Sequence, residues 1–224
     1  MLDLKSLKYA YIKGFIISNN LNEYMDIANK QLDLLTDRDL DILDNVVKEY
    51  NLKTYYFKEK EVLSRVKIVL SFLRAINPTS ILDVGSGRGV FLFPFLCEFI
   101  DCKVTSIDIL ERRVELLNNI SLGGVVNLNA VYGDLTKFDS SESYDCVTLL
   151  EVLEHIPDVK SAIKNAINLS KQYIVVTVPS KEDDNPEHIH FLTKVVLTKY
   201  FNDFGVTNLK FSGVNGHLFL IARK

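Results

Sequence analysis

The segment 81–89, ILDVGSGRG, combines a carboxylate with closely spaced glycines. Its apolar residues run up to Asp83, and three glycines then alternate with other residues: Gly85, Gly87 and Gly89. This order predicts a buried parallel strand that ends in a tight turn and opens a helix. Because glycine has no side chain, the backbone there can approach a ligand lying over the strand end. The segment therefore predicts a binding site for a small organic ligand.

Two classes of nucleotide-binding protein fit this segment poorly. The dinucleotide fingerprint needs a further glycine at the position of Val90, which disfavours a nicotinamide-dependent oxidoreductase. A P-loop needs Gly-Lys-Ser/Thr, and no such triplet follows the glycines. The ligand is therefore expected to differ from both nicotinamide dinucleotides and nucleoside triphosphates.

Acidic residues also follow the later predicted strands. The run 103–108 ends in Asp108, where a carboxylate can accept hydrogen bonds from both hydroxyls of a ribose. The same residue can cap the helix expected to begin near Leu110. The predicted strand 126–134 ends in Asp134, and the predicted strand 143–155 ends in carboxylates. A fifth strand, 172–179, stops at a proline.

This pattern resembles the class I S-adenosylmethionine-dependent methyltransferases over roughly residues 60–224. The resemblance implies that the glycine turn cradles the methionine half of the cofactor and that Asp83 helps to hold its ammonium group. It further implies that Asp134 binds the adenine amino group and that the neighbouring apolar residue packs on the ring. The implied cofactor site comprises Asp83, Gly85, Ser86, Gly87, Gly89, Asp108, Ile109, Asp134, Leu135 and Glu151.

The expected fold is α/β: a Rossmann-like, seven-stranded, mostly parallel sheet with a C-terminal antiparallel hairpin and an N-terminal helical extension. Residues 1–57 are assigned to the extension and 58–224 to the cofactor-binding domain. Thr36 is the predicted N-cap of one helix, and others are expected at about 58–76 and 193–204. The pair Asn-Gly at 215–216 predicts the turn of the terminal hairpin.

A second group of residues that could do chemistry follows the fourth predicted strand. Glu151 and Glu154 precede His155, and the later polar loop 181–193 contributes His188. Two carboxylates and two imidazoles can bind magnesium or manganese. Their order resembles the RNA 3′-terminal ribose 2′-O-methyltransferases of the small-RNA pathway, a resemblance that implies a metal held by Glu151, Glu154, His155 and His188.

The loop departs from that family because the stretch 189–192, Ile-His-Phe-Leu, lacks its aromatic-acidic-aromatic signature. The same segments also resemble methyltransferases related to the ubiquinone and menaquinone pathways, which generally act on small molecules without a metal. We therefore favour a metal-free enzyme with His155 or Glu151 as its catalytic base. A purely structural role for the two histidines is a third interpretation.

Composition fits a soluble, cytoplasmic protein. The 224 residues are 47% hydrophobic, enough for one substantial core, and the net charge of −3 gives no general basic field for nucleic acid. The three cysteines form no C-x-x-C pair, which is typical of reduced thiols. The longest apolar run, 90–100, is too short to cross a bilayer, and the N-terminus has no signal-peptide pattern.

The expected function is transfer of a methyl group from S-adenosylmethionine to an oxygen, nitrogen or carbon nucleophile, most simply on a small molecule. A metal-dependent methyltransferase acting on an RNA 3′ end is one alternative. A non-catalytic, cofactor-binding subunit is another. The acceptor and the oligomeric state are not encoded in any motif of this chain.

Overall fold

The computed structural model describes residues 2–59, 61–182 and 184–224. Lys60, in the helix predicted at 58–76, and Asp183, in the predicted polar loop, lie outside these described residues, as does Met1. The strands are β1 (Ser80–Val84), β2 (Lys103–Asp108), β3 (Leu128–Tyr132), β4 (Tyr144–Leu150), β5 (Ser170–Pro179), β6 (Asn208–Val214) and β7 (His217–Arg223).

The strands form one seven-stranded sheet in the order β3-β2-β1-β4-β5-β7-β6. The first five strands in the chain pair in parallel. Strand β7 runs antiparallel to β5, and β6 runs antiparallel to β7. The predicted α/β fold with a C-terminal hairpin is confirmed. The strand order reverses at β1, so a crevice forms beyond the carboxyl ends of β1 and β4.

The helices connect and flank the strands. They are α1 (Leu4–Ser18), α2 (Met25–Ala28), α3 (Asp37–Glu49), α4 (Ser64–Ile76), α5 (Leu92–Glu98), α6 (Glu111–Leu122), α7 (Val159–Leu169) and α8 (Lys194–Asp203). Helix α3 begins as predicted, because the Thr36 side chain accepts from the Asp39 amide while Asp39 accepts from the Thr36 amide. In α8, the side chain of the N-cap Thr193 accepts from the Val196 amide.

The apolar core lies on both faces of the sheet because side chains alternate along each strand. In β1, Ile81 joins a cluster with α4, α5 and α6, whereas the neighbouring Leu82 joins a cluster with α7 and α8. Both residues are fully buried. The two faces together hold the strand ends in fixed positions at the ligand-binding edge.

The N-terminal segment packs closely on this core. A Cβ built on Gly14 of α1 would lie 1.8 Å from the backbone oxygen of Asn119 in α6. A Cβ on Gly123 would lie 1.7 Å from the oxygen of Ala10. The two helix backbones therefore touch where only glycine fits. The division of the chain between residues 57 and 58 stays a prediction.

Three predicted boundaries were too wide. Helix α4 begins at Ser64 rather than near 58, because Leu63 has an extended backbone with ψ of 145°. Strand β3 begins at Leu128, and Val126, which the prediction placed in the strand, is 90% exposed. Strand β4 ends at Leu150, because Glu151 has a φ of 57° that no strand accommodates.

The cysteines Cys97, Cys102 and Cys146 are all free. Burial raises the pKa of the Cys97 thiol to about 11. No helix among the described residues is long and apolar enough to span a bilayer.

Candidate functional site

A cavity of about 170 Å³ lies at the carboxyl ends of β1 and β4. The glycine turn after β1 forms one wall, and the end of β5 contributes Thr177. Two carboxylates predicted to act in the site, Asp83 and Glu151, line this cavity together. The other lining residues are Arg65, Val66, Val69, Gly85, Ser86, Gly87, Arg88, Val90, Phe91 and Leu150.

Asp83 is a buried carboxylate at the base of this cavity. It lies in β1, is 2% exposed, and its Oδ1 accepts a hydrogen bond from Thr148 Oγ1 at 2.7 Å. Its Oδ2 accepts no hydrogen bond from the described residues. Burial raises the pKa of Asp83 to about 7, and the nearby carboxylate of Asp108 adds to that rise. A buried carboxylate oxygen without a donor is suited to a cationic ligand group.

The turn after β1 has a backbone that requires glycine. Gly85, Gly87 and Gly89 have φ values of 66°, 57° and 75°, all in the left-handed region. A Cβ on Gly89 would also lie 2.5 Å from the ring of Phe93. At Gly87 the space beyond is open, with only the Gly85 oxygen at 3.8 Å. The open side of Gly87 is where a ligand can contact the backbone.

Asp108 ends β2 next to this turn. The Gly85 amide donates to the Ile107 oxygen at 2.8 Å, which ties the glycine turn to β2. The Asp108 side chain accepts from the Leu110 amide at 2.9 Å. Helix α6 begins at Glu111 with Leu110 as its N-cap, so Asp108 does not have the alternative N-cap role that its sequence position allowed. Asp108 instead closes a short turn and keeps Oδ2 for another donor.

The residues predicted to bind the adenine differ in how far they are exposed to solvent. Asp134 is exposed, and its Oδ1 accepts from the amide and hydroxyl of Thr136, both at 2.8 Å. Leu135 is only 3% exposed and packs in the core. Ile109, by contrast, is 63% exposed beside Asp108. Of the two apolar candidates, Ile109 is therefore the one with surface to offer a flat ring.

Glu151 lies apart from the other residues predicted to bind a metal. Its φ of 57° turns the chain sharply after β4, and its Oε2 lies 3.0 Å from His217 Nε2. Its Oε1 is buried and accepts no hydrogen bond from the described residues. A non-glycine residue in the left-handed region is strained, and such strain is concentrated at functional sites.

The rest of that group forms a compact cluster. Glu154, His155 and His188 each offer a ligand atom within 4.8 Å of the others. Glu154 is fully buried, and the two imidazole rings are 4.8 Å apart in an edge-on arrangement. His155 Nδ1 lies 2.8 Å from the Glu187 oxygen. A neutral His155 therefore donates from Nδ1 and keeps a lone pair on Nε2, which can bind a proton or a metal.

Two residues of the site were missed at the sequence level. Arg65 lies in the first turn of α4, and His217 lies at the start of β7. They are far in sequence from the glycine turn, and neither belongs to a motif. Only the packing of α4 and the hairpin against the carboxyl edge of the sheet places them beside the cavity. No signal in the sequence could have identified them.

Comparison with known proteins places most of this chain in a family. Residues 56–210 match a family model described as a methyltransferase domain. A ubiquinone biosynthesis O-methyltransferase of Rickettsia akari (strain Hartford) is 30% identical over 101 residues, which are 45% of this chain and 39% of that protein. The namesake from Rickettsia typhi (strain ATCC VR-144 / Wilmington) is 26% identical over 172 residues, covering 66% of this chain and 67% of that protein. The chain thus spans about two fifths of the Rickettsia akari relative.

Solved structures share the fold at low identity. Magnesium protoporphyrin IX methyltransferase (ChlM) from Synechocystis PCC 6803, with bound S-adenosylhomocysteine (SAH), has a TM-score of 0.57 and 16% identity, covering 95% of this chain and 98% of that chain. The methyltransferase domain of bacterial CtHen1 has a TM-score of 0.58 and 17% identity, covering 71% of this chain and 97% of that chain.

Proposed function

The chain belongs to the methyltransferase domain family, within the class I S-adenosylmethionine-dependent methyltransferases, and we propose that it methylates an oxygen, nitrogen or carbon nucleophile on a small molecule. The observation that carries this proposal is the convergence of two carboxylates, Asp83 and Glu151, on one cavity beside the glycine turn. Each has a buried oxygen that accepts no hydrogen bond from the described residues.

The cavity fits the methionine half of S-adenosylmethionine. That half carries an ammonium group and a sulfonium, both positive, and a carboxylate. Asp83 can accept hydrogen bonds from the ammonium group, and Arg65 can pair with the carboxylate. We assign Asp83, Gly85, Ser86, Gly87 and Gly89 to this half of the cofactor.

The nucleoside half of the cofactor is assigned to the ends of β2 and β3. Asp108 is the proposed acceptor for the ribose hydroxyls. The Leu110 amide donates to Oδ1, so Oδ2 remains as an acceptor. Asp134 is proposed for the adenine amino group. Ile109 is the proposed apolar contact with the ring, and Leu135 supports the same region from within the core.

When bound, the cofactor supplies an electrophilic methyl group. The chain supplies position, since correct alignment of the reacting atoms accounts for much of an enzyme's rate. It also supplies a base for a nucleophile that carries a proton. We assign that base to Glu151 rather than His155, because Glu151 lines the cavity and His155 lies in the separate cluster with Glu154 and His188.

The relatives support a small acceptor with an oxygen nucleophile. Those from Rickettsia are named ubiquinone biosynthesis O-methyltransferases. The net charge of −3 also gives this chain no general attraction for a polyanionic nucleic acid. A small hydroxylated molecule is therefore our proposed acceptor.

A second candidate is metal-dependent methylation of an RNA 3′-terminal ribose. The observation that favours it is the compact cluster of Glu154, His155 and His188, whose residue types can bind magnesium or manganese. Glu151 is bound to His217 instead, so one of the four expected ligands lies outside the cluster. The metal-free enzyme acting on a small molecule is accordingly our first choice.

One assay separates these candidates. The protein is incubated with S-adenosylmethionine and either 3,4-dihydroxybenzoate or a short RNA with a free 3′ end, and SAH formation is measured with and without a chelator. We expect turnover of the small catechol that the chelator does not change. Chelator-sensitive turnover of the RNA alone would replace the first candidate by the second. Cofactor binding with no turnover of any acceptor would favour a non-catalytic subunit.

A further inference from the structure

His217 is the first residue of β7, and the hairpin turn that precedes it fixes it at the edge of the sheet. It pairs with Pro179 of β5, and the turn before it has φ values of 41° at Asn215 and 83° at Gly216. Two positive φ values give the tight turn whose twist matches a hairpin. The Asn215 side-chain amide also donates to Ser64 Oγ at 2.8 Å. The hairpin turn is thus bonded to the first residue of α4.

Both ring nitrogens of His217 face hydrogen-bond acceptors. Nδ1 lies 3.0 Å from the backbone oxygen of Asn215, and Nε2 lies 3.0 Å from Glu151 Oε2. The imidazole ring is thus held between a backbone carbonyl of the hairpin turn and the Glu151 carboxylate.

This contact orients the Glu151 carboxylate. The backbone amide of Glu151 donates to the Thr177 oxygen at 2.9 Å, and its side chain is held through Oε2. Oε1 is left buried, without a donor among the described residues, in a side chain that lines the cavity with Asp83. Strand β5 and the hairpin together thus determine where that oxygen lies.

A second cavity of about 180 Å³ adjoins His217. The segment 61–65 forms one wall, and Asn215 and His217 form the other. Arg65 lines both this cavity and the one that contains Glu151. Glu151 lines one cavity and His217 lines the other, so their contact lies between the two linings.

We propose that His217 is the positioning residue that orients the Glu151 carboxylate towards an acceptor with an ionisable hydroxyl group. The proposal rests on the proposed function. As the hydroxyl oxygen forms its bond to the methyl carbon, the carbon–sulfur bond breaks and its electron pair stays on sulfur. The hydroxyl proton passes to Glu151 Oε1 and later to solvent.

The first test is nitrogen-15 NMR of the histidine rings near neutral pH. The His217 signals are identified by their loss in His217→Gln. We expect the His217 Nε2 signal to shift between the wild type and Glu151→Gln, because an amide replaces the carboxylate that contacts Nε2. Identical His217 signals in the two proteins would overturn the proposal. This test needs neither cofactor nor acceptor.

The second test is kinetic and uses the acceptor found in the small-molecule assay, beginning with 3,4-dihydroxybenzoate. His217→Phe is expected to lower kcat roughly 10- to 100-fold with KM for the cofactor changed by less than about twofold. His217→Gln, which keeps a donor to Glu151, should recover part of that loss. His190→Phe is the matched control, since the His190 ring lies 3.2 Å from the Pro157 oxygen and lines neither of these cavities.

The outcomes separate this proposal from the proposed function. Thermal unfolding confirms that each variant is folded before its rate is compared. A wild-type kcat in His217→Phe would refute the positioning role while leaving the methyltransferase intact. Failure of the wild type to bind SAH in calorimetry would refute the proposed function, and the NMR result would still report on the Glu151–His217 pair.

Discussion

Replacing Asp83 by asparagine should make the ligand-free protein more stable at high pH while destroying its cofactor site. Asp83 is 2% exposed, and burial raises its pKa to about 7 from an ordinary 3.8. A rise of about three in a pKa corresponds to about 4 kcal/mol, at 1.36 kcal/mol for each pKa unit. Asp83 is buried away from solvent, so screening by water does not reduce this free energy of about 4 kcal/mol.

The sign follows from where the proton is bound. Below about pH 4 the carboxyl group is protonated in both the folded and unfolded chain, so it imposes no penalty. Between about pH 4 and 7 the unfolded chain loses its proton and the folded chain keeps it, so wild-type stability falls as pH rises. Above about pH 7 the full penalty of about 4 kcal/mol applies. Asparagine does not titrate, so residue 83 makes no pH-dependent contribution to the free energy of unfolding of Asp83→Asn.

The measurement is urea unfolding of the wild type and Asp83→Asn at several pH values from about 4 to 8. The variant minus wild-type free energy of unfolding should rise across that range by up to about 4 kcal/mol. The constant cost of burying an unpaired amide, about 1–3 kcal/mol, shifts the curve without changing its slope. Leu82→Val, a neighbouring β1 substitution without a charge, is the control.

Cofactor binding should change in the opposite direction. The wild type should bind SAH more tightly as pH rises towards about 7, because only an ionised Asp83 attracts the ammonium group. Asp83→Asn should bind it at least about tenfold more weakly at pH 8. Parallel stability curves for the two proteins, or wild-type affinity in the variant, would refute the reasoning about Asp83.

Three further predictions concern the rest of the site. Asp108→Ala should weaken SAH binding about ten- to a hundred-fold in calorimetry, and an unchanged affinity would remove Asp108 from the site. Gly87→Val should stay folded by circular dichroism but lose SAH binding, because valine is strained at a φ of 57° and would fill the ligand's side of the turn. Glu151→Gln should lower kcat by about 10²–10⁴, because it removes the proposed base. His155→Ala and a chelator should each change kcat by less than about tenfold. A larger loss in His155→Ala or with the chelator than in Glu151→Gln would make His155 the base or a metal ligand.

The ligand-binding edge was largely predictable because local sequence determines it. A buried parallel strand reads as an unbroken apolar run, and a residue that ends one is placed at the sheet edge by topology alone. This is why Asp83 and Asp108 were predicted correctly at strand ends. The hairpin was equally predictable from the sequence, because Asn and Gly readily adopt the positive φ values that Asn215 and Gly216 have in its turn.

The parts that could not be predicted depend on packing between distant segments. Leu135 follows a strand and reads as a candidate ring contact, yet the structure buries it. Glu151 and Glu154 are three residues apart, and the resemblance to the RNA 3′-terminal methyltransferases implies that they share one metal site. The left-handed turn at Glu151 directs the first towards His217 and the second towards the loop histidines. Such separation depends on one backbone angle, which the residue type does not encode.

The most direct test of the central claim is a calorimetric titration of the wild-type protein with SAH, with NAD as the comparison ligand. The account predicts one site that binds SAH and no measurable binding of NAD, since the carboxylates Asp83 and Asp108 flank a glycine turn suited to an amino-acid ammonium group and a ribose. Absence of SAH binding in a folded protein, or preferential binding of NAD, would contradict it.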